Sequence, residues 1–431
     1  MNKIERLVYD CVKRNPGLKL GIRNAYQSLF DLLPPFPSKS AYPISVHEGY
    51  FFGFHDHTPF SDDNRKLLAQ RFTIGLRMPK PDDTLKIGYF YGKGFSEYCE
   101  VSETRAWNWH QGSKLQWLGN KDVMVFNDHI GGKAVARLYD VQSGETRTLG
   151  GPIASASPNG DWAVGYNFER VQKYMPGYGY IQDTGDDSIR ILAPDQDGLY
   201  RINVSSGSFE QIVSIAELAA RDPDRSMEGA AHYVSHAVCG PDNKRVLFMH
   251  RWVKGDTRGR KERLYACNFD GSGLYRFPTT DMVSHIGWRD RETVFAYCRI
   301  AGAGDGYALM TDKGKGHFEL IGKGQFLSDG HPSFERSGRW FVTDTYADRT
   351  RRRYLVVYDM ERSRRYNLAY LRSPKEFATV KVGQHWTCDL HPRWDREGRF
   401  ICFDSTHTGE RSLCIMDLGD VLTSGEEPRQ V

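Results

Sequence analysis

The chain has 431 residues, and its 58 lysines and arginines against 54 aspartates and glutamates give a formal net charge of +4. This near balance gives no ground for expecting a nucleic-acid partner, although a local basic cleft for an acidic ligand stays open. Aromatic residues make up 13% of the chain, and the 43 glycines and 19 prolines favour many short strands and turns over a helical bundle.

At the N-terminus, apolar periodicity predicts two helices, over residues 4–14 and 21–33, and a proline-rich stretch ends the second. We expect residues 1–45 to form a short helical extension that packs on the main domain or mediates a dimer contact. Charged residues interrupt the first segment, and no stretch approaches the ~20 apolar residues of a membrane span. The eight cysteines include no CxxC pair, which is typical of reduced core cysteines. The sequence therefore predicts a cytoplasmic protein without a transmembrane segment.

A repeated pattern dominates the remainder of the chain. The stretches HPSFERSGRWFVTDTYADRTRRRYLVVYDM (331–360) and HPRWDREGRFICFDSTHTGERSLCIMDL (391–418) share a histidine, an aromatic residue, a glycine turn and two strands. We count seven such units, and each supplies about four short strands that cannot bury both faces alone. The units predict an all-β fold, a seven-bladed β-propeller over residues 46–431. An open solenoid is the alternative, but it normally needs a cap at each end.

The repeat places five histidines at one position, just ahead of the first strand of each unit: His57, His236, His285, His331 and His391. Because the first strand of a propeller blade lines the central channel, these imidazoles are expected at one end of the axis. Neutral imidazoles that converge in this way bind divalent ions such as zinc or manganese. His285, His331 and His391 form the predicted metal triad. Additional ligands or supporting groups are expected from Asp329, Gln384 and His385.

Two further segments carry candidate site residues. His110 and His129 stand at the two ends of a predicted hairpin, where a strand unit has no structural need for imidazoles, although His129 could simply cap a turn. Residues 166–183 form a predicted insertion rich in glycine and tyrosine. It is either a loop over the site, with Tyr174, Tyr178 and Tyr180 as candidate acids, or a loop packed by its own tyrosines.

Several blades resemble those of known polysaccharide lyases. RINVSSGSFE, SHAVCGPDNKRVLFMHR, SHIGW and DLHPRWDREGRFICFDSTHTGERSLCIMDL are similar to oligogalacturonate lyases, whereas NWHQGSKLQWL with VMVFNDH resembles the propeller ulvan lyases. The resemblance implies cleavage of a uronate-containing chain by β-elimination, with a catalytic histidine and arginine and a metal that is catalytic or structural. By position, Arg201 and His236 match the first family, and His110 and His129 match the second.

The residue types suit this chemistry. Elimination across C4 and C5 of a uronate needs positive charge to offset the charge that develops on the carboxylate, which Arg201 or a metal could supply. A neutral histidine is a competent base, and a tyrosine such as Tyr178 or a second histidine can protonate the departing oxygen. We therefore expect a lyase that acts on an acidic glycan. The alternatives are a non-catalytic binding or scaffold propeller in glycan metabolism and a metal-dependent propeller hydrolase. No phosphate-binding loop or GxSxG motif is present, so nucleotide hydrolases and serine hydrolases are excluded.

Overall fold

The computed structural model describes residues 16–32, 34–181, 187–255, 259–379 and 383–431, so the helix predicted over residues 4–14 lies outside the described residues. The described chain forms seven antiparallel sheets arranged as the blades of a β-propeller, which confirms the predicted fold class. Among the described residues, no helix combines the length and the apolar character needed to cross a membrane. The seven described cysteines are free, as the absence of CxxC pairs indicated.

The N-terminal segment begins with helix α1 (Pro16–Phe30) and continues into strands β1 (Lys39–Ser40) and β2 (Ile44–Glu48). β1 and β2 are added to the outer edges of the sixth and seventh blades. The β-structure thus begins at Lys39, ahead of residue 46. The N-terminal segment also closes the ring, because β2 pairs along its whole length with the last strand of the chain.

The first five blades each consist of four consecutive strands, and the first strand of each blade lies at the channel. These strands are β3 (Tyr50–Phe51), β4 (Leu67–Phe72), β5 (Leu85–Tyr91) and β6 (Glu97–Thr104) in blade 1; β7 (Gln116–Trp117), β8 (Val123–Ile130), β9 (Lys133–Asp140) and β10 (Thr146–Leu149) in blade 2; β11 (Ser155–Ala156), β12 (Trp162–Gly165), β13 (Gly198–Asn203) and β14 (Phe209–Ser214) in blade 3; β15 (Ala231–Cys239), β16 (Arg245–Val253), β17 (Lys261–Asn268) and β18 (Tyr275–Arg276) in blade 4; and β19 (Thr279–Trp288), β20 (Thr293–Ile300), β21 (Gly304–Thr311) and β22 (Phe318–Ile321) in blade 5.

The last two blades combine C-terminal strands with the N-terminal ones. Blade 6 contains β23 (Ser333–Phe334), β24 (Trp340–Asp344), β25 (Arg352–Asp359) and β26 (Arg364–Arg372) with β1, and blade 7 contains β27 (Arg393–Trp394), β28 (Phe400–Ser405) and β29 (Ser412–Asp417) with β2. Short helices occupy connections: α2 (Phe168–Tyr174), α3 (Ile215–Ala220), α4 (Val421–Ser424) and the 3₁₀ turns Lys93–Phe95, Asp187–Arg190 and Lys375–Phe377.

The hydrophobic core lies between neighbouring blades. Leu247 and Met249 of blade 4 pack against Val294 and Ala296 of blade 5, and equivalent clusters fill the other spaces between blades. The alternation of apolar residues along each middle strand produces this arrangement, since both faces of a blade are covered by its neighbours.

After β3 the chain turns into the channel, and residues 52–57 form what we call the axial segment. The carboxylate of Asp404 in β28 accepts hydrogen bonds from the backbone N–H groups of Phe52 and Gly53, both at 3.0 Å. The guanidinium of Arg393 donates to the carbonyls of Gly53 and Phe54. Gly53 has a φ of +113°, and a Cβ at this position would lie 2.8 Å from the carbonyl carbon of Gln111. The turn therefore requires glycine.

We predict that Gly53→Ala destabilises the protein by roughly 1–3 kcal/mol more than a control alanine, because its Cβ must displace backbone atoms of blade 2. Gly409→Ala is the matched control: its φ is +104° and nothing lies within 4 Å of the added Cβ, so it carries the backbone strain without the clash. Urea unfolding midpoints of both variants measure the difference. Equal midpoints would show that the axial segment tolerates displacement.

Candidate active site

The phenyl ring of Phe54 lies among imidazoles that come from four different blades. Its centroid is 5.2 Å from that of His236, 6.1 Å from His285, 6.2 Å from His331 and 5.1 Å from His391. His331 and His391 precede the first strands of blades 6 and 7, whereas His236 and His285 lie within those of blades 4 and 5. We call this side of the propeller the histidine face and the other side the opposite face. Four of the five aligned histidines therefore converge at one end of the channel.

The fifth aligned histidine, His57, does not join this group. His57 Nε2 lies 3.1 Å from the carbonyl oxygen of Ala154 and 3.7 Å from the carboxylate of Asp56, deeper in the channel. His55 takes its place, with ring centroids 5.5 Å from both His285 and His331. The reason is the turn at Gly53, which directs the axial segment across the channel and shifts the inward-facing histidine by two residues. We refer to His55, His236, His285, His331 and His391 as the axial histidine cluster.

Backbone irregularities aim two of these side chains. The pairing between β15 and β16 shifts between Ser235 and Val238, and His236 within this bulge has a φ of +54°. His391, just ahead of β27, has a φ of +44°. Non-glycine residues in the left-handed region cost free energy and concentrate at functional sites. The backbone strain at both histidines is consistent with a functional rather than a packing role.

Burial keeps most of the cluster neutral. It lowers the pKa of His55 to about 3, and it holds the pKa values of His236, His285 and His391 well below the usual range for histidine. His331 is the exception: burial again disfavours its charged form, but the carboxylate and hydrogen bond of Asp344 raise its pKa overall. Neutral imidazoles have a free lone pair, which both metal binding and proton abstraction require.

One part of the cluster fits a divalent metal ion. Ligand atoms of His331, Asp389 and His391 all lie within 4.8 Å of one another. Asp344 Oδ1 lies 2.8 Å from His331 Nδ1, which leaves Nε2 of that ring to face the site. His391 Nδ1 is buried and has no hydrogen-bond partner among the described residues. Two imidazoles and a carboxylate are a donor set for manganese or zinc, and the Asp344 contact is the usual support of a metal-bound histidine.

This group shares His331 and His391 with the predicted triad and contains Asp389 instead of His285. The predicted triad stays a prediction. His285 is close, with its ring centroid 4.0 Å from that of His331, but its Nδ1 faces Ser284 Oγ at 3.2 Å and Asp329 Oδ2 at 3.7 Å. Asp389 was missed by the sequence analysis, which considered Asp329 instead. A signal was available, because both aspartates stand two residues before an aligned histidine.

His110 and Tyr178 lie together beside the cluster. Their rings stack with centroids 4.5 Å apart and an interplanar angle of 2°, and Tyr178 lies 6.1 Å from His236. Asn108 Oδ1 accepts the backbone N–H groups of His110 and Gln111 and so fixes the turn that presents His110. Burial lowers the pKa of His110 to about 3 and raises that of Tyr178 to about 12. A neutral imidazole and a protonated phenol thus face the same space.

His129 and Arg201 lie elsewhere. His129 is near the end of the second strand of blade 2, on the histidine face but one strand farther out, where its ring meets Tyr180 edge-on at 5.8 Å. Arg201 is on the third strand of blade 3, where it stacks on Trp162 and forms an ion pair with Glu210 at 2.7 Å. It also donates to the carbonyl of Phe269, in the turn after β17. The side chain of Arg201 on this third strand therefore points between blades 3 and 4 and away from the axis. Its catalytic role stays a prediction.

The remaining residues named from the sequence have structural contacts. The hydroxyl of Tyr174 donates to the carbonyl of Ile189, and that of Tyr180 contacts the side-chain amide of Asn127. His385 packs against Gly177 of the tyrosine-rich loop. These contacts shape the rim of the site.

The sequence analysis missed the positive charge of this site, which comes from Arg251 and Arg260. Arg251 is 2% exposed, its Nη atoms contact only the thioether sulfurs of Met175 and Met249, and its Nε has no partner among the described residues. Arg260 Nε lies 2.7 Å from Glu262, whereas Arg251 Nε is 3.8 Å from the same carboxylate. Two guanidiniums thus share one carboxylate, and burial together with the charge of Arg260 lowers the pKa of Arg251. An excess positive charge remains beside His236 and Tyr178.

No protein-family model matches the chain, and no curated protein matches its sequence. Among solved structures, an oligogalacturonate lyase in complex with manganese aligns with a TM-score of 0.62 and 14% identity over 90% of this chain and 98% of that one. An oligogalacturonate lyase from Vibrio parahaemolyticus aligns with a TM-score of 0.59 and 12% identity over 90% and 96% of the two chains. At these identities the likeness shows that the chain has the propeller fold of these lyases. The resemblance to ulvan lyases stays a prediction.

We predict about one divalent ion per chain after incubation with manganese or zinc and removal of free metal, because the imidazole and carboxylate atoms are already gathered. Asp389→Asn and His391→Ala should each lower the retained metal at least tenfold. His129→Ala, which removes an imidazole outside the cluster, is the control and should retain it. Elemental analysis gives the stoichiometry, and full occupancy in His391→Ala would place the ion elsewhere.

We predict that stability falls as the pH drops below about 6.5. The pKa of His110 is lowered to about 3 in the folded protein, so only the unfolded chain takes up this proton between the two values. Its contribution is complete above the unfolded pKa and is lost as the pH falls towards the folded one, by ~1.4 kcal/mol per pH unit. Urea unfolding with a chelator at pH 7, 6 and 5 measures how the free energy of unfolding changes with pH. His110→Gln should reduce this slope by the contribution of one titrating group, ~1.4 kcal/mol per pH unit. Constant stability over this range would contradict the burial of neutral imidazoles.

Proposed function

We propose that this protein is a lyase that cleaves a uronate-containing glycan by β-elimination at the histidine face. The observation that carries the proposal is the pairing of neutral, buried imidazoles with a guanidinium pair whose charge is only half neutralised. A base and an uncompensated cation side by side suit a reaction in which a proton leaves carbon next to a carboxylate. The fold shared with two oligogalacturonate lyases supports the same reaction class.

The cationic pair would bind the uronate carboxylate. Arg251 has an unpartnered Nε and no close carboxylate of its own, so a substrate carboxylate would complete its hydrogen bonding. This contact strengthens as negative charge moves from C5 onto the carboxylate, which lowers the barrier more than it tightens ground-state binding. Arg251, supported by Arg260, thus takes the role that the sequence assigned to Arg201.

The proton steps fall to the residues around Arg251. His236 takes the C5 proton through a ring nitrogen; its Nδ1 has no partner among the described residues, whereas Nε2 is 3.5 Å from Gln111 Nε2. As the C5–H bond breaks, a C4–C5 double bond forms and the bond from C4 to the bridging oxygen breaks. Tyr178, protonated because burial raises its pKa to about 12, donates a proton to that departing oxygen. His110 stacks on Tyr178 and is the second candidate base.

A divalent ion would be held by His331, Asp389 and His391. When bound, it would supply further positive charge for a substrate carboxylate. The ion pair between Asp389 and Arg353 at 2.5 Å orients that carboxylate. His285 and Asp344 then act as neighbours that position the ligands.

The test is the product of the reaction. Incubation with polygalacturonate and other uronate polysaccharides should produce the ultraviolet absorbance of a conjugated alkene, and reaction in ¹⁸O-labelled water should leave the new ends unlabelled. Arg251→Gln and His236→Asn should each lower kcat by at least ~100-fold, the loss typical of one transition-state group. Tyr178→Phe should lower kcat with a smaller change in KM.

Arg201→Gln is the matched control, because it also removes one guanidinium but lies in blade 3, away from the histidine face. This variant should keep nearly all turnover. Product that carries ¹⁸O without ultraviolet absorbance would mean hydrolysis. A full kcat in Arg251→Gln would remove that residue from the mechanism, and a full kcat in His236→Asn with a collapse in His110→Asn would move the base to His110.

A further inference from the structure

A cavity opens on the opposite face of the propeller. It has a volume of about 1180 Å³ and is lined by the ends of the first strands and the turns that follow them. The axial segment forms its inner boundary, with His55, Asp56 and His57 in the wall. Apart from this inner boundary, no residue that lines the cavity takes part in the proposed lyase reaction.

One side of the cavity wall carries four arginines from three consecutive blades: Arg289 and Arg291 from blade 5, Arg336 from blade 6 and Arg396 from blade 7. None of them forms an ion pair with a carboxylate in the described parts of the chain. Arg289 Nε contacts the backbone carbonyl of Gly338 at 3.3 Å, and Arg396 Nε is buried without a hydrogen-bond partner among the described residues. Many other arginines of this protein, Arg245 and Arg399 among them, have a carboxylate within 3 Å.

The acidic residues between these arginines are engaged in their own turns. Asp290 Oδ1 accepts the backbone N–H groups of Glu292 and Thr293, and Asp395 Oδ1 accepts those of Arg399 and Phe400. Deeper in the channel, the charge of Asp56 is met by Lys114 at 2.5 Å. Asp62 and Asp242 also line the cavity, so its charge is mixed. The four guanidiniums nevertheless keep N–H donors that no carboxylate accepts in the described parts of the chain.

The chemistry of these guanidiniums and one aromatic surface favour an anionic ligand. Planar guanidiniums bind carboxylates and phosphates through paired hydrogen bonds. Trp288 and Trp394 also line the cavity. Their indole N–H groups are bound to the carbonyls of Val238 and Ser333. Trp394 is 2% exposed, so the apolar surface left to contact a ligand belongs to the half-buried Trp288.

We propose that the cavity on the opposite face is a binding site for a small polyanion. Its guanidiniums recognise carboxylate or phosphate groups, and the indole of Trp288 contacts the apolar parts of the same molecule. This site is separate from the proposed catalytic site, because Phe54 and the axial histidine cluster lie between them. The two chemical sources of such an anion are an acidic oligosaccharide and a phosphorylated metabolite.

The test compares two variants of equal charge. Arg289→Gln, Arg336→Gln and Arg396→Gln are combined in one variant, and Arg65→Gln, Arg225→Gln and Arg372→Gln, at exposed positions elsewhere, in the control. Calorimetry at low salt measures binding of trigalacturonate, tripolyphosphate and neutral maltotriose. At least one polyanion should bind the wild type and the control, and it should bind the cavity variant at least about tenfold more weakly. Maltotriose should not bind at this site.

The outcomes separate the sources and the two proposals. Tighter binding of trigalacturonate points to an acidic saccharide, and tighter binding of tripolyphosphate to a phosphorylated ligand. The cavity variant should keep the turnover of the wild type, since its changes lie across the axial segment from His236. If the protein shows no lyase activity, the comparison of polyanion affinities between the cavity variant, the control and the wild type still tests the polyanion site. Equal affinities in the cavity variant and the wild type, or no binding of either polyanion at millimolar concentration, would overturn the polyanion site.

Discussion

A buried ion pair between Arg393 and Asp404 organises the centre of this propeller. Both side chains are fully buried, 3.4 Å apart, and their remaining hydrogen-bonding capacity is directed at the backbone of residues 52–54. A buried charge pair is stable only when such additional bonds satisfy it. Because the pair belongs to blade 7 and the backbone it holds belongs to blade 1, the same contacts close the ring and fix the axial segment across the channel.

The position of the axial segment determines the chemistry of the histidine face. Phe54, placed at the axis, fills space that water would otherwise occupy, and desolvation is the largest influence on the pKa of every cluster histidine. Loss of water favours the neutral imidazole, so the exclusion of water by Phe54 contributes to the low pKa values of these histidines. Among the cluster histidines, the carboxylate of Asp344 helps to outweigh this effect only at His331, whose pKa is raised overall. The face thus holds different histidines in different states within a few ångströms, as separate base and ligand roles require.

The sequence was sufficient for the features that repeat and insufficient for those that do not. Strand spacing and the recurrent histidine predicted seven blades and the convergence of His236, His285, His331 and His391, because every blade obeys the same packing rule. The exchange of His57 for His55 depends on a single turn at Gly53, which repeat alignment treats as another strand start. The bulge that aims His236 is likewise a local irregularity with no periodic signal. Asp389 could have been found, since it stands two residues before its histidine as Asp329 does.

The arginine of the proposed reaction differs from the one named from the sequence for another reason. Arg201 and Arg251 both sit in strands among apolar residues, and periodicity alone does not distinguish an arginine that faces a neighbouring blade from one that faces the site. What separates them is the partner: Arg201 has Glu210 on the adjacent strand, a pairing that register predicts only once the hairpin is known. Arg251 shares Glu262, directly opposite it on β17, with Arg260. In the proposed reaction the substrate therefore binds the arginine that lacks a carboxylate of its own, because only an unsatisfied charge has binding energy left for a substrate.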